Sequence, residues 1–268
     1  MTSVSLSIVL PTINEAENLS ILIPDIQKKL NKLKIEDYEI ITVDDGSTDN
    51  TVELIENMNK KDQRINIISR HQNPSLPNSI WEGINEAKYE YVMWLDADGS
   101  MTPEAVEKIL GKLLHNKNSV VIGSRFVEEG GYKGVKDLGN RSFVMAIRNV
   151  RGSKDSVMGM IVSIIFNKFL ELIFPLEVKD ITSGFIVGKK EFFDESLFVN
   201  ASYGEYFLYV LFDLWKKNIN IIEVGYICET RVSGESKTAS SLVQLISRGF
   251  PYINAAIILR RHKYGNSR

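Results

Sequence analysis

Three apolar runs in the first hundred residues each break off at a polar turn rich in carboxylates or their amides, and a stretch of helical spacing follows each. Val4 to Leu10 stops at Pro11-Thr12-Ile13-Asn14-Glu15, Tyr38 to Val43 at Asp44-Asp45-Gly46-Ser47-Thr48-Asp49, and Tyr91 to Leu95 at Asp96-Ala97-Asp98. Asn14 to Leu30 carries Leu19, Leu22, Ile23, Ile26 and Leu30 on one helical face; Thr51 to Met58 and Ser79 to Ala87 also read as helices, and Ile65 to Ile68 as a further strand. Such alternation with short connections predicts an α/β fold, a Rossmann-like parallel sheet covered by helices on both faces. In a parallel sheet the turns that follow strands share one edge, so the three polar turns converge on one crevice, where open α/β sheets bind ligands. The first turn lacks Gly-x-Gly-x-x-Gly, which argues against a dinucleotide site.

Asp96 and Asp98 stand at the end of an interior strand, and Gly99, Thr102 as N-cap and Pro103 at the first helical position lead into the next helix. Two carboxylates so close repel unless a cation lies between them. Hard oxygen ligands suit Mg²⁺ or Mn²⁺, which keep open positions for phosphate oxygens. An Asp-rich turn with a helix cap gives the same pattern without a metal. Asp180, before Thr182-Ser183-Gly184, reads either as a turn cap or as a general base.

Composition narrows the partners. With 268 residues there is chain enough for a sizeable core, and a formal charge of −2 does not suggest a nucleic-acid surface. The single cysteine, Cys228, precludes an internal disulfide framework and fits a reducing compartment. No secretory leader is expected, and no apolar stretch reaches the roughly 18 residues that a bilayer span needs. Ser156 to Phe174 is nevertheless a long apolar helix, interrupted by Ser163, Asn167, Lys168 and Glu171 and preceded by Arg141, Arg148, Arg151 and Lys154. Leu242 to Leu259 repeats the pattern before Arg260-Arg261-His262-Lys263. Both fit amphipathic helices lying on an anionic membrane surface; the alternative is packing on the sheet, on a membrane-protein partner or on a second copy in a homodimer. His71, His115 and His262 share no metal-ligand spacing. Tyr203, Tyr206 and Tyr209 form a stripe that suits sugar stacking but is more common in a core.

Pro11-Thr12-Ile13-Asn14-Glu15, Val43-Asp44-Asp45-Gly46-Ser47, Asp96-Ala97-Asp98, Gly123-Ser124-Arg125, Asp180 to Phe185 and Arg231-x-x-Gly234-Glu235-Ser236-Lys237 follow one another in an order that resembles inverting family-2 glycosyltransferases with a GT-A fold. The branch most similar is the dolichyl-phosphate mannose synthase type. The resemblance implies a catalytic domain over residues 1–240, with the 156–174 helix inserted, and a helical appendage over 241–268. It implies that Pro11, Ile13, Glu15, Val43 and Asp45 hold the nucleoside of a nucleotide sugar (GDP-mannose or a UDP-sugar), with Asp96, Ala97 and Asp98 at the metal and diphosphate. Arg125, Arg231 and Lys237 match cations that meet donor and acceptor phosphates, and Ser163 a position near the acceptor phosphate. The implied reaction is metal-dependent hexose transfer to a polyprenyl phosphate at the cytoplasmic, inner face of a membrane. Two other readings stay open: extension of a glycan or lipid-linked sugar with Asp180 as base, and a non-catalytic nucleotide-sugar-binding protein. The chain departs from the family's pattern at Asn73-Pro74-Ser75-Leu76-Pro77-Asn78, where a Gly before a Leu is frequent, and at Ser100, where the mannose synthases can carry Gln.

Overall fold

A computed structural model of the chain describes residues 4–132, 135–136, 154–173, 176–229 and 249–259. In chain order the elements are β1 (Leu6–Thr12), α1 (Ala16–Lys32), β2 (Tyr38–Asp44), α2 (Thr51–Asn59), β3 (Ile65–Ser69), α3 (Leu76–Glu86), β4 (Tyr91–Trp94), α4 (Pro103–Leu114) and β5 (Val120–Ser124). There follow β6 (Gly131–Tyr132), β7 (Val135–Lys136), α5 (Lys154–Ile173), β8 (Ile186–Lys189), α6 (Ser196–Val199), α7 (Tyr206–Lys216), β9 (Ile221–Gly225), β10 (Ile227–Cys228) and α8, residues 249–259.

Seven strands form one sheet in the order β3-β2-β1-β4-β8-β5-β9, and β10, β6 and β7 form a small second sheet. The expected α/β class is met: all neighbours in the large sheet are parallel except β8, which runs antiparallel to both β4 and β5. The reason for the reversal is visible at the sheet's rim. The segment that leads into β8 is tied to Arg125, just past the end of β5, so β8 enters the sheet from the edge where its neighbours leave it. The strands end where the polar turns begin, with one shift. Pro11 does not stop β1, which runs on to Thr12 opposite Asp44. β4 ends at Trp94 opposite Val9, so Pro11 lies where β1 has a strand neighbour on one side only, and a missing N–H is tolerated there.

Each face of the sheet carries a core. On one, Leu19, Leu22, Ile23, Ile26 and Leu30 of α1 and Val106, Ile109, Leu110 and Leu113 of α4 bury the stripes that the spacing predicts. On the other, α3, α6, α7, Leu170 of α5 and Tyr252, Ala255 and Ala256 of α8 cover Val9, Val43, Val92 and Trp94. α3 lies very close to the sheet because Gly83 has no side chain: a Cβ there would collide with Val9 Cγ1. Thr102 caps α4 as its position suggests, its hydroxyl accepting from Ala105 N at 3.3 Å.

Candidate active site

The first two turns are stitched into one rim. Asn14, held at φ 56°, accepts from Thr48 N through its side-chain carbonyl at 2.7 Å, and its own N–H donates to Ser47 Oγ at 2.8 Å. Asp49 accepts from Ala16 N at 3.2 Å and caps Thr51 N at 3.0 Å, and Glu15 N donates to Thr51 Oγ1 at 3.1 Å. Asp44 folds its own turn by accepting from Gly46 N and Ser47 N, both at 3.1 Å. Pro11, Ile13, Glu15 and Val43 are therefore on adjacent strand ends or in the turns just beyond them. Nothing in the composition of the first turn singled out Asn14 as its organiser; its partners lie more than thirty residues away.

Asp45 is built in rather than left at the surface. It is 7% exposed and pairs with Arg70, while its other oxygen accepts from Ser75 N at 2.8 Å and Ser79 Oγ at 2.7 Å. Arg70 in turn holds Glu82 at 2.9 Å. The 73–78 stretch that departs from the family's pattern thus supplies the start of α3 and, through Ser75 N, one arm of the clamp on Asp45. Sequence reasoning missed Arg70 and Ser79 because a charge at a strand end and a serine in a helix look like ordinary solvated positions.

Asp96 is exposed and Asp98 is 6% exposed, its Oδ1 accepting from Ser100 N at 2.9 Å. Gly99, at φ 78°, makes the turn, and Glu229 N, just past β10, donates to Ser100 O at 3.0 Å. The chain that leads towards Arg231 is thereby fastened to the acidic turn; Arg231 and Lys237 themselves lie outside the described residues. Among the described residues no cluster of three metal-binding side chains occurs; the acidic turn itself offers two carboxylates, Asp96 and Asp98. That set fits a hard divalent ion completed by phosphate or water oxygens.

Asp180 and Arg125 form the other wall. Asp180 is fully buried and accepts from Arg125 N, Nε and Nη2 at 2.8, 2.7 and 2.7 Å, a two-pronged pair reinforced by the backbone. Burial works against the Arg125 charge, but the Asp180 carboxylate outweighs it and holds the guanidinium pKa well above its usual value. Arg125 also donates to Thr182 Oγ1 at 2.8 Å. Cys228 feels the charges of both walls. Burial pushes its thiol up to about 11, Arg125 pulls it down, and Asp98, Asp96 and Asp180 raise it further. Four charged groups thus act on one sulfur. A thiol pushed above its usual range in this way is a weaker nucleophile at neutral pH.

Of the tyrosine stripe, Tyr206 is core: 3% exposed, stacked on Phe198 and accepting from Trp94 Nε1 at 3.2 Å, with the Asp96 charge among its neighbours. Tyr203 is 39% exposed. Ser163 lies on α5 one turn before Asn167, which donates to its carbonyl at 3.0 Å. Further along α5, Ile165, Phe169 and Leu172 point outward, 59%, 44% and 88% exposed, and Phe250, Ile253 and Ile257 of α8 do the same. The two helices touch through the edge contact of Phe166 with Tyr252, 5.3 Å between centroids. No described helix is long and apolar enough to cross a membrane.

Residues 7–197 match the profile of Glycosyl transferase family 2, and with its acidic turns on the rim of a GT-A sheet this chain belongs to that family. It is 31% identical over 160 residues to a dolichol-phosphate mannosyltransferase of Pyrococcus furiosus, across 57% of this chain and 44% of that protein. A dolichyl-phosphate beta-glucosyltransferase of Trichomonas vaginalis is 28% identical over 165 residues, 56% of this chain and 49% of its own. The matched segments thus span about half the length of these relatives or less. The fold is shared with mannosyl-3-phosphoglycerate synthase from Rubrobacter xylanophilus (TM-score 0.66, 16% identity, 99% of this chain and 76% of that one). It is also shared with glucosyl-3-phosphoglycerate synthase from Mycobacterium tuberculosis in complex with Mn²⁺, UDP and phosphoglyceric acid (TM-score 0.64, 18% identity, 96% and 78%).

Proposed function

We propose that the chain transfers a hexose from a nucleotide sugar to a polyprenyl phosphate at a membrane surface, with inversion at the anomeric carbon. The observation that carries this reading is that the acidic turn is fastened through Ser100 O to Glu229, next to Cys228, whose thiol feels the charges of both that turn and the Arg125–Asp180 pair, while Thr182 and Asn167 link Arg125 to a helix whose outer stripe is apolar. The similarity to dolichol-phosphate and dolichyl-phosphate transferases supports the same acceptor class. In this reading Pro11, Ile13, Glu15, Val43 and Asp45 shape the nucleoside cleft. Asp45 does so by fixing the start of α3, since its oxygens already accept from Arg70, Ser75 and Ser79. Asp96 and Asp98 would hold a Mg²⁺ or Mn²⁺ ion, which would supply positive charge to the departing diphosphate. Arg125, with Ser163, Arg231 and Lys237, offsets the repulsion between the two anionic substrates.

A phosphate acceptor is already ionised at neutral pH and needs no strong base. Asp180 suits that chemistry: enclosed and bonded to Arg125 on both oxygens, it is placed to aim the guanidinium and badly placed to take a proton. The same geometry tells against glycan extension with Asp180 as base. The outer stripes of α5 and α8 support a peripheral seat on the inner face of a membrane, with a membrane-protein partner or a homodimer as the competing cover.

The test is incubation of the purified protein with a panel of nucleotide sugars, Mn²⁺ or Mg²⁺ and a short-chain polyprenyl phosphate, with the product identified by mass. Asp98→Ala is expected to lower transfer at least ~100-fold, several kcal/mol of lost charge stabilisation, while circular dichroism stays that of the wild type. Transfer to a sugar hydroxyl instead would replace the acceptor assignment, and donor binding without turnover would favour the non-catalytic reading.

A further inference from the structure

α5 presents apolar side chains outward, yet Asn167 is 2% exposed and turned toward the 181–182 turn that precedes β8. Its amide is fully engaged. Oδ1 accepts from Ile181 N at 2.8 Å, and Nδ2 donates to Thr182 Oγ1 at 2.8 Å as well as to Ser163 O at 3.0 Å. The Thr182 hydroxyl that receives Asn167 also receives Arg125 Nη2 at 2.8 Å, and it lies 3.4 Å from Asp180 Oδ1, to which it donates. A continuous chain of hydrogen bonds therefore runs from the helix through one hydroxyl to the guanidinium. Bonds of this kind fix direction as well as distance, because each acceptor oxygen has only two lone pairs to offer.

We infer that Asn167 is a positioning residue: through Thr182 it makes the aim of the Arg125 guanidinium depend on where α5 sits. The helix that carries Ile165, Phe169 and Leu172 on its outer side thus bears directly on the cation that meets the incoming anion. Only this last, functional consequence rests on the proposed transfer to a polyprenyl phosphate; the mechanical link does not.

Asn167→Leu removes all three bonds of the amide, whereas Thr182→Val leaves those to Ile181 N and Ser163 O intact and removes only the hydroxyl that relays to Arg125. Two measurements on the full chain test the link. In protein labelled with ¹⁵N-arginine, proton exchange at Arg125 Nε is expected to quicken by about tenfold or more in each variant, because a guanidinium held on fewer sides opens more often. In the transfer assay the KM for polyprenyl phosphate is expected to rise about tenfold with kcat within about twofold, and the combined variant to be no worse than the poorer single one, as for two residues on one path. Unchanged exchange at Arg125 overturns the inference whatever the activity, and so do fully additive effects on KM. If exchange quickens while the wild type transfers nothing to a polyprenyl phosphate, the positioning stands and the acceptor assignment falls.

Discussion

Replacing Asp180 by asparagine exchanges one oxygen for an amide nitrogen and leaves the shape of the site unchanged. It nevertheless breaks an enclosed ion pair that touches the site. Asp180 is 0% exposed and Arg125 is 12% exposed at the side chain. One asparagine oxygen can go on accepting from Arg125 N and Nε, but the new NH₂ group faces Nη2, donor against donor, where a 2.7 Å bond stood. The lost charge matters more than the lost bond. A guanidinium with little access to water keeps its positive charge and loses its counter-ion, and breaking such a buried pair costs about 3–5 kcal/mol. Against a total stability of roughly 5–15 kcal/mol this is a large fraction. At about 2–4 °C per kcal/mol it corresponds to a Tm lowered by roughly 6–20 °C. Thermal unfolding and urea titration of Asp180→Asn measure it. The same physics predicts a rescue: Arg125→Met combined with Asp180→Leu removes both charges, so stability returns to within about 1–2 kcal/mol of the wild type while transfer stays lost. An Asp180→Asn protein within about 1 kcal/mol of wild-type stability would refute the reasoning, because the pair would then contribute no more than a surface contact.

Gly83→Ala forces a methyl group against Val9 and Val43, both stiff at χ1, and is expected to cost about 1–3 kcal/mol in urea titration. Phe169→Ser with Leu172→Ser removes apolar surface worth about 1.5–3 kcal/mol per side chain if a bilayer takes it up; vesicle binding, measured by co-sedimentation, is expected to fall at least ~10-fold, and unchanged binding would point to another cover for α5. Asp62 is held at about 2, chiefly by its hydrogen bonds with Arg64. A carboxyl so depressed stabilises the fold above its ordinary value near 4, and that contribution is lost as pH falls through about 2. The stability gap between wild type and Asp62→Asn should therefore be full at pH 7 and close by about pH 2, as followed by urea unfolding at each pH.

The alternation of strand and helix, the cap at Thr102, the two apolar stripes of α1 and α4 and the gathering of acidic turns on one rim were legible from residue order, because each depends on periodicity or on what the next few residues are. The direction of β8 was not. It depends on where a segment some fifty residues past β5 is fastened, and only the Arg125–Asp180 pair reveals that. Nor could residue order tell which carboxylate the fold encloses: Asp45 and Asp96 read alike, yet Asp45 is clamped inside the fold by Arg70, Ser75 and Ser79 while Asp96 is exposed at the rim. The sequence by itself determined which chemical groups this protein owns and which edge of the sheet they approach. Tertiary structure alone decided which of those charges neutralise one another, since a Coulomb pair depends on distance in space and on the exclusion of water, and neither is written in the spacing of residues along a chain.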